Sequence, residues 1–348
     1  MTPQEIEQRV DQILRQLTLK EKVYLLSGRD TWCTLPIERP LEGAPQGIPP
    51  VIMTDGTHGV RANQPDAGRA AAGPTTAFPT GVSMASTWNP DLVEQAARAL
   101  GEETKAMGCD VLLGPCVNIV RTPIAGRNFE AYSEDPYQTG RIGVAFVKGV
   151  QSAWAGTSLK HYAANNQEIE RYRGSTEVDE RTLREIYLPH FEMVVKEAQP
   201  WTVMCSYNRI NGVYASQNHH LLTEILKDEW GFEGVVVSDW TANHTTTESV
   251  KAGLDLEMPG PPKWYGELLL EAANIWQIEE ADIDKAARRV LRMAFLSGKM
   301  DGTEKKGSVN TPEHQALARQ VAEEAIVLLK NRDNLLPLKP QQVQTLAV

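Results

Sequence analysis

The chain has 348 residues, of which 41% are hydrophobic and 23% are charged. This length suits one large α/β domain or two ordinary ones, and the hydrophobic fraction is ample for a sizeable core. The net charge of −10 at pH 7 offers no basic stripe for nucleic acid, so we expect no nucleic-acid partner.

Signals for export, membrane insertion and metal binding are missing from the sequence. Residues 1–8 are polar and acidic, unlike a signal peptide, and no run of about 18 apolar residues occurs. The four cysteines are too few and too scattered for a disulfide scaffold or a zinc site. We therefore expect a cytoplasmic protein with no membrane partner and no metal.

The predicted elements begin with a helical region over residues 4–27. It is interrupted near Thr18, which forms a capping box with Glu21. After a proline- and glycine-rich loop (36–50), short apolar runs predict strands that alternate with helices. The predicted strands are 51–55, 81–86, 110–114, 157–162, 201–208, 235–237 and 252–259. The predicted helices start at Trp88 and then cover 136–154, 179–198, 220–230, 265–275 and 282–297.

Strands that alternate with helices indicate a parallel sheet, either closed or open. Polar residues end nearly every predicted strand: Asp55, Lys160, His161, Tyr207 and Asp239. A closed barrel brings all of these ends to one face, whereas an open sheet spreads them out. We therefore predict an α/β fold with a TIM-type (β/α)8-like barrel over residues 1–300. No convincing eighth strand is found, so we expect an irregular barrel.

The composition changes after Gly298. Residues 301–310 form a polar linker, 311–330 a helix, 335–338 an apolar tether, and 344–348 resemble a strand that has just begun. We interpret residues 301–348 as the linker and the start of a second α/β domain, and expect the chain to be one piece of a larger protein.

The side chains at the strand ends are those of a sugar site. No phosphate-binding loop, dinucleotide fingerprint, H-E-x-x-H pair or nucleophile elbow occurs, so no cofactor is expected. Carboxylates and cations bind hydroxyls, and aromatic faces stack on sugar rings. Two structural alternatives stay open here. Asp55 precedes Gly56 and could serve only as a turn residue, and Asp239 could cap the next helix.

Ordered motifs at residues 55–61, 126–136, 160–162, 204–212 and 231–240 carry a family resemblance. They read DGTHGVR, GRNFEAYSEDP, KHY, MCSYNRING and GFEGVVVSDW. Together they resemble the N-terminal domain of family 3 glycoside hydrolases, in particular the β-glucosidases. The resemblance implies that Asp239 is the catalytic nucleophile. It implies a sugar-binding role for the following residues: Asp55, Arg61, Arg127, Lys160, His161, Arg171, Met204, Tyr207 and Trp240.

The resemblance also implies what these residues do. Asp55 would accept hydrogen bonds from the 4- and 6-hydroxyls of a hexose, and Lys160, His161 and Arg127 would hold the hydroxyls at positions 2 to 4. Tyr207 would lie beside the nucleophile, and Trp240 would line the apolar side of the ring. Arg173 is an alternative candidate for the sugar-binding role assigned to Arg171.

The implied reaction is the release of terminal β-D-glucose with retained configuration, through a covalent glycosyl-enzyme on Asp239. The family's β-glucosidases take their acid/base Glu from the second domain, which we expect as the partner of this chain. The histidine used by the family's N-acetylglucosaminidases is absent, since Tyr162 and Ala163 follow His161.

Three alternatives remain. A β-xylosidase is disfavoured by Asp55, where that branch would lead one to expect Glu. The chain could instead be a sugar-binding fragment without turnover. A Schiff-base aldolase that uses Lys160 is a third possibility.

Overall fold

The computed structural model describes residues 1–61, 74–345 and 347. The predicted strand at 344–348 lies partly outside these residues, and its described part forms no strand. The strands are β1 (Met53–Asp55), β2 (Val111–Leu113), β3 (Gly156–Tyr162), β4 (Ser175–Thr176), β5 (Thr202–Cys205), β6 (Arg209–Ile210), β7 (Val213–Tyr214) and β8 (Val235–Ser238).

Helices surround these strands. The α-helices are α1 (Pro3–Leu14), α2 (Leu19–Leu25), α3 (Gly81–Ser86), α4 (Pro90–Ala106), α5 (Pro136–Ser152), α6 (Glu180–Thr182), α7 (Pro189–Ala198), α8 (Thr247–Ala252), α9 (Glu267–Asn274), α10 (Glu280–Leu296) and α11 (Pro312–Ala325). Wider π-helical segments occur at Leu183–Tyr187 and His220–Glu229, and 3₁₀ turns at Ala215–Gln217, Arg332–Asn334 and Pro340–Gln342.

The first two helices form as the sequence predicts. Thr2 caps α1 and Thr18 caps α2, each in a capping box with the glutamate three residues later. The apolar stripe of α1 is buried against α10. Among the described residues, no helix has both the length and the apolar character needed to cross a membrane.

A five-stranded parallel sheet in the order β1-β2-β3-β5-β8 forms the centre of the molecule. Val235, Val236 and Val237 of β8 are fully buried, as expected for strands covered on both faces. The five strands of this sheet run in the same direction, so their carboxyl ends lie at one face of the molecule.

Three short segments close this sheet into an irregular barrel. Residue 256 pairs in parallel with β8, and residue 257 pairs in parallel with residue 27. Residue 28 pairs antiparallel with residue 34, and residue 33 pairs antiparallel with residue 52 beside β1. The predicted irregular barrel is confirmed. The missing eighth strand is replaced by bridges too short to give a sequence signal, two of which run against the direction of the sheet.

Two buried aspartates tie neighbouring strands together at the amino end of the barrel. A carboxylate oxygen of Asp110 accepts a hydrogen bond from the backbone N–H of Ile52 at 2.8 Å. Asp255 accepts one from the backbone N–H of Val236, also at 2.8 Å. Each carboxylate is also paired with a lysine. Asp110 and Asp255 therefore each join two adjacent segments of the barrel in the same way.

Two of the predicted strands are wrong. Residues 81–86 form α3, whose buried residues Gly81, Met84 and Ala85 have helical spacing. A side-chain carbon at Gly81 would lie 2.3 Å from the carbonyl oxygen of Glu130, so this helix packs directly on a neighbouring loop. In the predicted strand 252–259, only residues 256 and 257 form bridges. Ala252 instead ends α8.

The predicted helix 179–198 is not continuous. It consists of α6, a π-helical segment and α7, which begins at Pro189. Proline has no N–H to continue the helical hydrogen bonds and its ring clashes with the preceding turn, so the helix is interrupted there. The predicted helix 311–330 is shorter than expected and ends at Ala325. It packs on α3 and α4.

Replacement of Asp255 by alanine should destabilise the barrel. The change leaves the N–H of Val236 and the buried ammonium of Lys227, 2.8 Å from the carboxylate, without this partner. We expect a loss of about 3 kcal/mol in the free energy of unfolding, measured by urea denaturation. Asp228→Ala, at an exposed position beside Lys227, is the control and should change stability little. Equal effects of the two variants would contradict the role of Asp255.

Candidate active site

The carboxyl ends of the strands open onto a cavity of about 280 Å³. Its lining combines carboxylates, cations and aromatic rings. The lining residues are Trp32, Asp55, Leu113, Arg127, Lys160, His161, Arg171, Met204, Tyr207, Asp239 and Trp240. Every sugar-binding or catalytic residue predicted from the sequence is in this lining except Arg61. The Arg61 guanidinium lies outside it, 3.6 Å from the Asp55 carboxylate, with its side chain 63% exposed.

Asp239 follows β8 and is 7% exposed. Its Oδ1 accepts a hydrogen bond of 2.7 Å from the backbone N–H of Trp240, which orients the carboxylate. Among the described residues, its buried Oδ2 has no hydrogen-bond partner. Burial raises the pKa of Asp239, and the charge of Lys160 and the hydrogen bond from the Trp240 N–H act against this rise. The site thus holds a carboxylate with one oxygen still free to react.

The alternative that Asp239 caps the following helix is wrong. That helix, α8, begins at Thr247, and Thr246 occupies the capping position. A loop of several residues separates the aspartate from the helix. Asp239 is therefore not used as a cap and points into the cavity instead.

His161 lies beside Asp239 as a neutral imidazole. Burial and the positive charges of Arg127 and Lys160 hold the pKa of His161 well below its usual value. The side-chain oxygen of Asn118 accepts the backbone N–H of His161 at 2.8 Å and lies 3.0 Å from Nδ1, so Nδ1 carries the proton. The bare Nε2 then faces Oδ2 of Asp239 at 3.8 Å. Two acceptors side by side suit a hydroxyl donor.

Asp55 and Lys160 form a second charged group in the cavity. The Lys160 ammonium lies 3.9 Å from the Asp55 carboxylate, and its side chain is only 6% exposed. Asp55 also begins a tight turn. Gly56 has φ of 137°, and a side-chain carbon there would lie 2.2 Å from the carbonyl oxygen of Gly59. The turn interpretation of Asp55 and its place in the cavity are therefore compatible.

Each cavity arginine is held by a glutamate three residues away. Arg127 hydrogen bonds to Glu130, and Arg171 to Glu168 at 2.8 Å. Burial opposes ionisation of Glu130, but the charges of Lys160 and Arg127 lower its pKa overall. Arg173 has a 77% exposed side chain and is not in the lining, so the structure places Arg171 there instead.

Aromatic rings form the wall next to Asp239. The rings of Trp32 and Trp240 have centroids 5.6 Å apart, and the Trp240 indole N–H donates to the carbonyl oxygen of Thr31 at 2.7 Å. The Arg171 guanidinium lies 4.6 Å from the centroid of the Tyr207 ring. These contacts fix the orientation of the rings that face the cavity.

The sequence analysis missed two lining residues, Trp32 and Leu113. Leu113 is the last residue of β2, so a strict strand-end rule would have found it. Trp32 lies between the antiparallel bridges that close the barrel, in a loop with no strand signal. Its position depends on how the barrel closes. Asn118, which orients His161, was also missed because it lies in an irregular segment after β2.

The arrangement can bind a polyhydroxylated ring. Hydroxyl donors meet the carboxylates and the bare nitrogen of His161, and hydroxyl acceptors meet Lys160 and the arginines. The indoles offer an apolar face for the ring, as sugar sites require. A carboxylate with a free oxygen lies beside these groups.

Known proteins are similar to this chain in sequence and in fold. The model of the glycosyl hydrolase family 3 N-terminal domain matches residues 37–293. Thermostable β-glucosidase B of Acetivibrio thermocellus is 46% identical over 333 residues, which are 95% of this chain and 43% of that protein. An exo-α-(1→6)-L-arabinopyranosidase of Bifidobacterium breve is 44% identical, with 93% of this chain and 42% of that protein covered.

A solved structure extends the likeness to three dimensions. β-Glucosidase 3B from Thermotoga neapolitana, in complex with glucose, superposes with a TM-score of 0.87 at 39% identity, and the match covers 95% of this chain and 48% of that one. The chain thus spans less than half the length of these relatives. The family match over most of the chain and the shared barrel lead to one conclusion: the chain belongs to glycosyl hydrolase family 3.

Proposed function

We propose that this chain is the nucleophile-bearing, sugar-binding part of a retaining, exo-acting β-glucosidase. The observation that carries the proposal is Asp239, a buried carboxylate with one free oxygen in a cavity lined by hydroxyl-binding groups. The relatives named as β-glucosidases and the glucose-bound structure of one of them support this choice of substrate. The cytoplasmic location expected from the sequence stays a prediction.

In the proposed reaction, Oδ2 of Asp239 attacks the anomeric carbon of a terminal β-glucoside. The bond between that carbon and the leaving oxygen breaks, and a proton is delivered to the leaving group. Water then attacks the glycosyl-enzyme, which releases β-D-glucose and frees the carboxylate. The indole and tyrosine rings beside Asp239 limit the access of bulk water to this carbon.

The proton must come from a second carboxyl about 5–5.5 Å from the nucleophile. Of the described residues that line the cavity, only Asp55 and Asp239 are carboxylates. Asp55 is already paired with Lys160 and Arg61, and its proposed role is to bind hydroxyls of the sugar. We therefore infer that the acid/base Glu lies in the part of the relatives' length that this chain does not span, in a second domain whose linker and first elements are residues 301–348.

Residues 1–300 would then form the catalytic barrel.

A second candidate function follows from the lack of an acid/base carboxyl among the described residues that line the cavity. Without an acid/base carboxyl in the cavity, the chain by itself would bind sugar with little or no turnover. The aldolase alternative is less favoured, because it gives no role to the two carboxylates of the cavity, Asp239 and Asp55.

The nucleophile can be identified by trapping. Incubation of a hydrolytically active form of the protein with a 2-deoxy-2-fluoro-β-glucoside should label Asp239, because the fluorine slows hydrolysis of the glycosyl-enzyme. Peptide mass spectrometry locates the label. Labelling of any other carboxylate would contradict the assignment.

Measurements of glucose binding and of glucoside hydrolysis separate the two candidate functions. The 348-residue chain should bind glucose but hydrolyse a glucoside very slowly, and activity should rise when the segment that follows it in the relatives is restored. Full activity of the chain by itself would show that the acid/base residue lies within it.

Asp55 should favour hexosides over pentosides. A pentopyranoside has no 6-hydroxyl to donate to its carboxylate, so we expect higher kcat/KM for the β-glucoside than for the matching β-xyloside or α-L-arabinopyranoside. Asp55→Asn should lower kcat/KM for the glucoside by roughly 100-fold and reduce this preference. Arg173→Gln, at an exposed position outside the cavity, is the control. Faster turnover of either pentoside by the wild type would contradict the proposed substrate.

Asp239 should lower stability at neutral pH. Its pKa is raised by burial in the folded state, so the ionised form costs stability above that pKa. Asp239→Asn should therefore raise the free energy of unfolding at pH 7 by on the order of 1 kcal/mol. The gain should shrink as the pH falls and vanish below the pKa of the unfolded carboxyl. Urea denaturation from pH 4 to pH 7 measures it, and a gain that is constant with pH would contradict the burial of a charged Asp239.

A further inference from the structure

A fully buried carboxylate lies outside the lining of the cavity. Glu103, on α4, is 0% exposed. It accepts hydrogen bonds from the backbone N–H of Thr76 at 2.9 Å, from the Thr76 hydroxyl at 2.7 Å and from the backbone N–H of Asn310 at 2.9 Å. The ring nitrogen Nδ1 of His314 lies 2.9 Å away. One side chain thus binds both the segment around Thr76 and the segment that leads into α11.

The Thr76 segment supports the turn that follows Asp55. The hydroxyl of Thr75 donates to the carbonyl oxygen of Val60 at 2.7 Å, and the backbone N–H of Phe78 donates to that of His58 at 2.8 Å. The two segments are in close contact. A side-chain carbon on Gly59 would lie 3.2 Å from the carbonyl oxygen of Thr76. A shift of Thr76 is therefore transmitted to residues 58–60.

Residues 58–60 in turn set the position of Asp55. The backbone N–H of Arg61 donates to the carbonyl oxygen of Asp55 at 3.0 Å, which closes the turn. The hydroxyl of Thr54 donates to the carbonyl oxygen of Arg61 at 3.3 Å. The Asp55 carboxylate leaves this turn to face Lys160. A chain of contacts therefore runs from Glu103 to a carboxylate in the cavity.

The opposite side of Glu103 is closely packed. Its helix α4 packs along α5, and residues 307–310 and the start of α11 lie against it. A side-chain carbon on Gly307 would lie 1.7 Å from the carbonyl oxygen of Glu102, so the linker touches the helix backbone. Asn310 and His314 are further partners of the Glu103 carboxylate, so contacts on the side away from Thr76 also define its position.

We propose that Glu103 is a positioning residue of the cavity. By binding Thr76, Glu103 holds Asp55 at the distance that a bound hexose requires. The inference rests on the proposed function, in which Asp55 binds the sugar. It assigns to Glu103 no contact with substrate. Its effect is on binding geometry, where small displacements of a binding group are costly.

Thr76→Val and Glu103→Gln test this role. Valine keeps the shape of Thr76 and removes its hydroxyl, and glutamine leaves the Thr76 N–H and hydroxyl without a charged acceptor. Both should raise the Kd for glucose, measured by tryptophan fluorescence since Trp32 and Trp240 line the cavity. Both should also raise KM for p-nitrophenyl β-D-glucoside. We expect roughly 10-fold increases with kcat less affected. Thr104→Val is the matched control, because this buried hydroxyl on the same helix donates to the Leu100 carbonyl oxygen and, within the described part of the chain, has no bond to the Thr76 segment.

A purely structural role gives a different result. Partial unfolding lowers the amount of active protein, and so kcat, but leaves KM and Kd unchanged. Unchanged KM and Kd in Thr76→Val would therefore overturn the proposal, even if Glu103→Gln fails to fold. Equal increases in Thr104→Val would overturn it as well. The KM values are measured on the form in which the segment that follows this chain in the relatives is restored. If the wild type of that form binds glucose without hydrolysing the glucoside, the proposed turnover is contradicted, while the glucose titrations still decide the role of Glu103.

Discussion

Closure of the parallel sheet is the constraint on which the rest of the structure depends. Parallel strands place all of their carboxyl ends at one face, but only a closed ring brings β1 and β8 to the same cavity. Here the ring is completed by residues 256–257, 27–28 and 33–34. The loop between residues 28 and 34 also brings Trp32 to the cavity. The segments that close the barrel therefore also build part of the site.

Charge pairing inside the cavity singles out Asp239. The other buried charges have partners: Lys160 faces Asp55, and Arg127 and Arg171 are each held by a glutamate. Pairing of this kind offsets the cost of removing ions from water. The carboxylate of Asp239 has a nearby cation but leaves one oxygen unbonded among the described residues. A site that is less stable than it could be is common where reactivity is required.

Errors in the predicted elements have identifiable physical causes. The run at 81–86 is short and apolar, and such a run fits a buried strand and a buried helix equally well until its neighbours are known. In the structure this run is a helix that buries Gly81, Met84 and Ala85, and Gly81 packs closely on Glu130. The stretch 252–259 contains an apolar alternation, but its first residue belongs to α8. Only two of its residues form bridges, Leu256 with β8 and Glu257 with Ser27.

The sequence by itself determined the family motifs, the barrel class and the strand-end residues of the site, because buried parallel strands have a strong apolar signal and their polar ends stand out. Only the tertiary structure decided the placement of Trp32, the choice of Arg171 over Arg173, the orientation of His161 by Asn118 and the anchoring of Thr76 by Glu103. These features join residues far apart in the chain. Their contacts arise from barrel closure and helix packing, which no local pattern of residue types encodes.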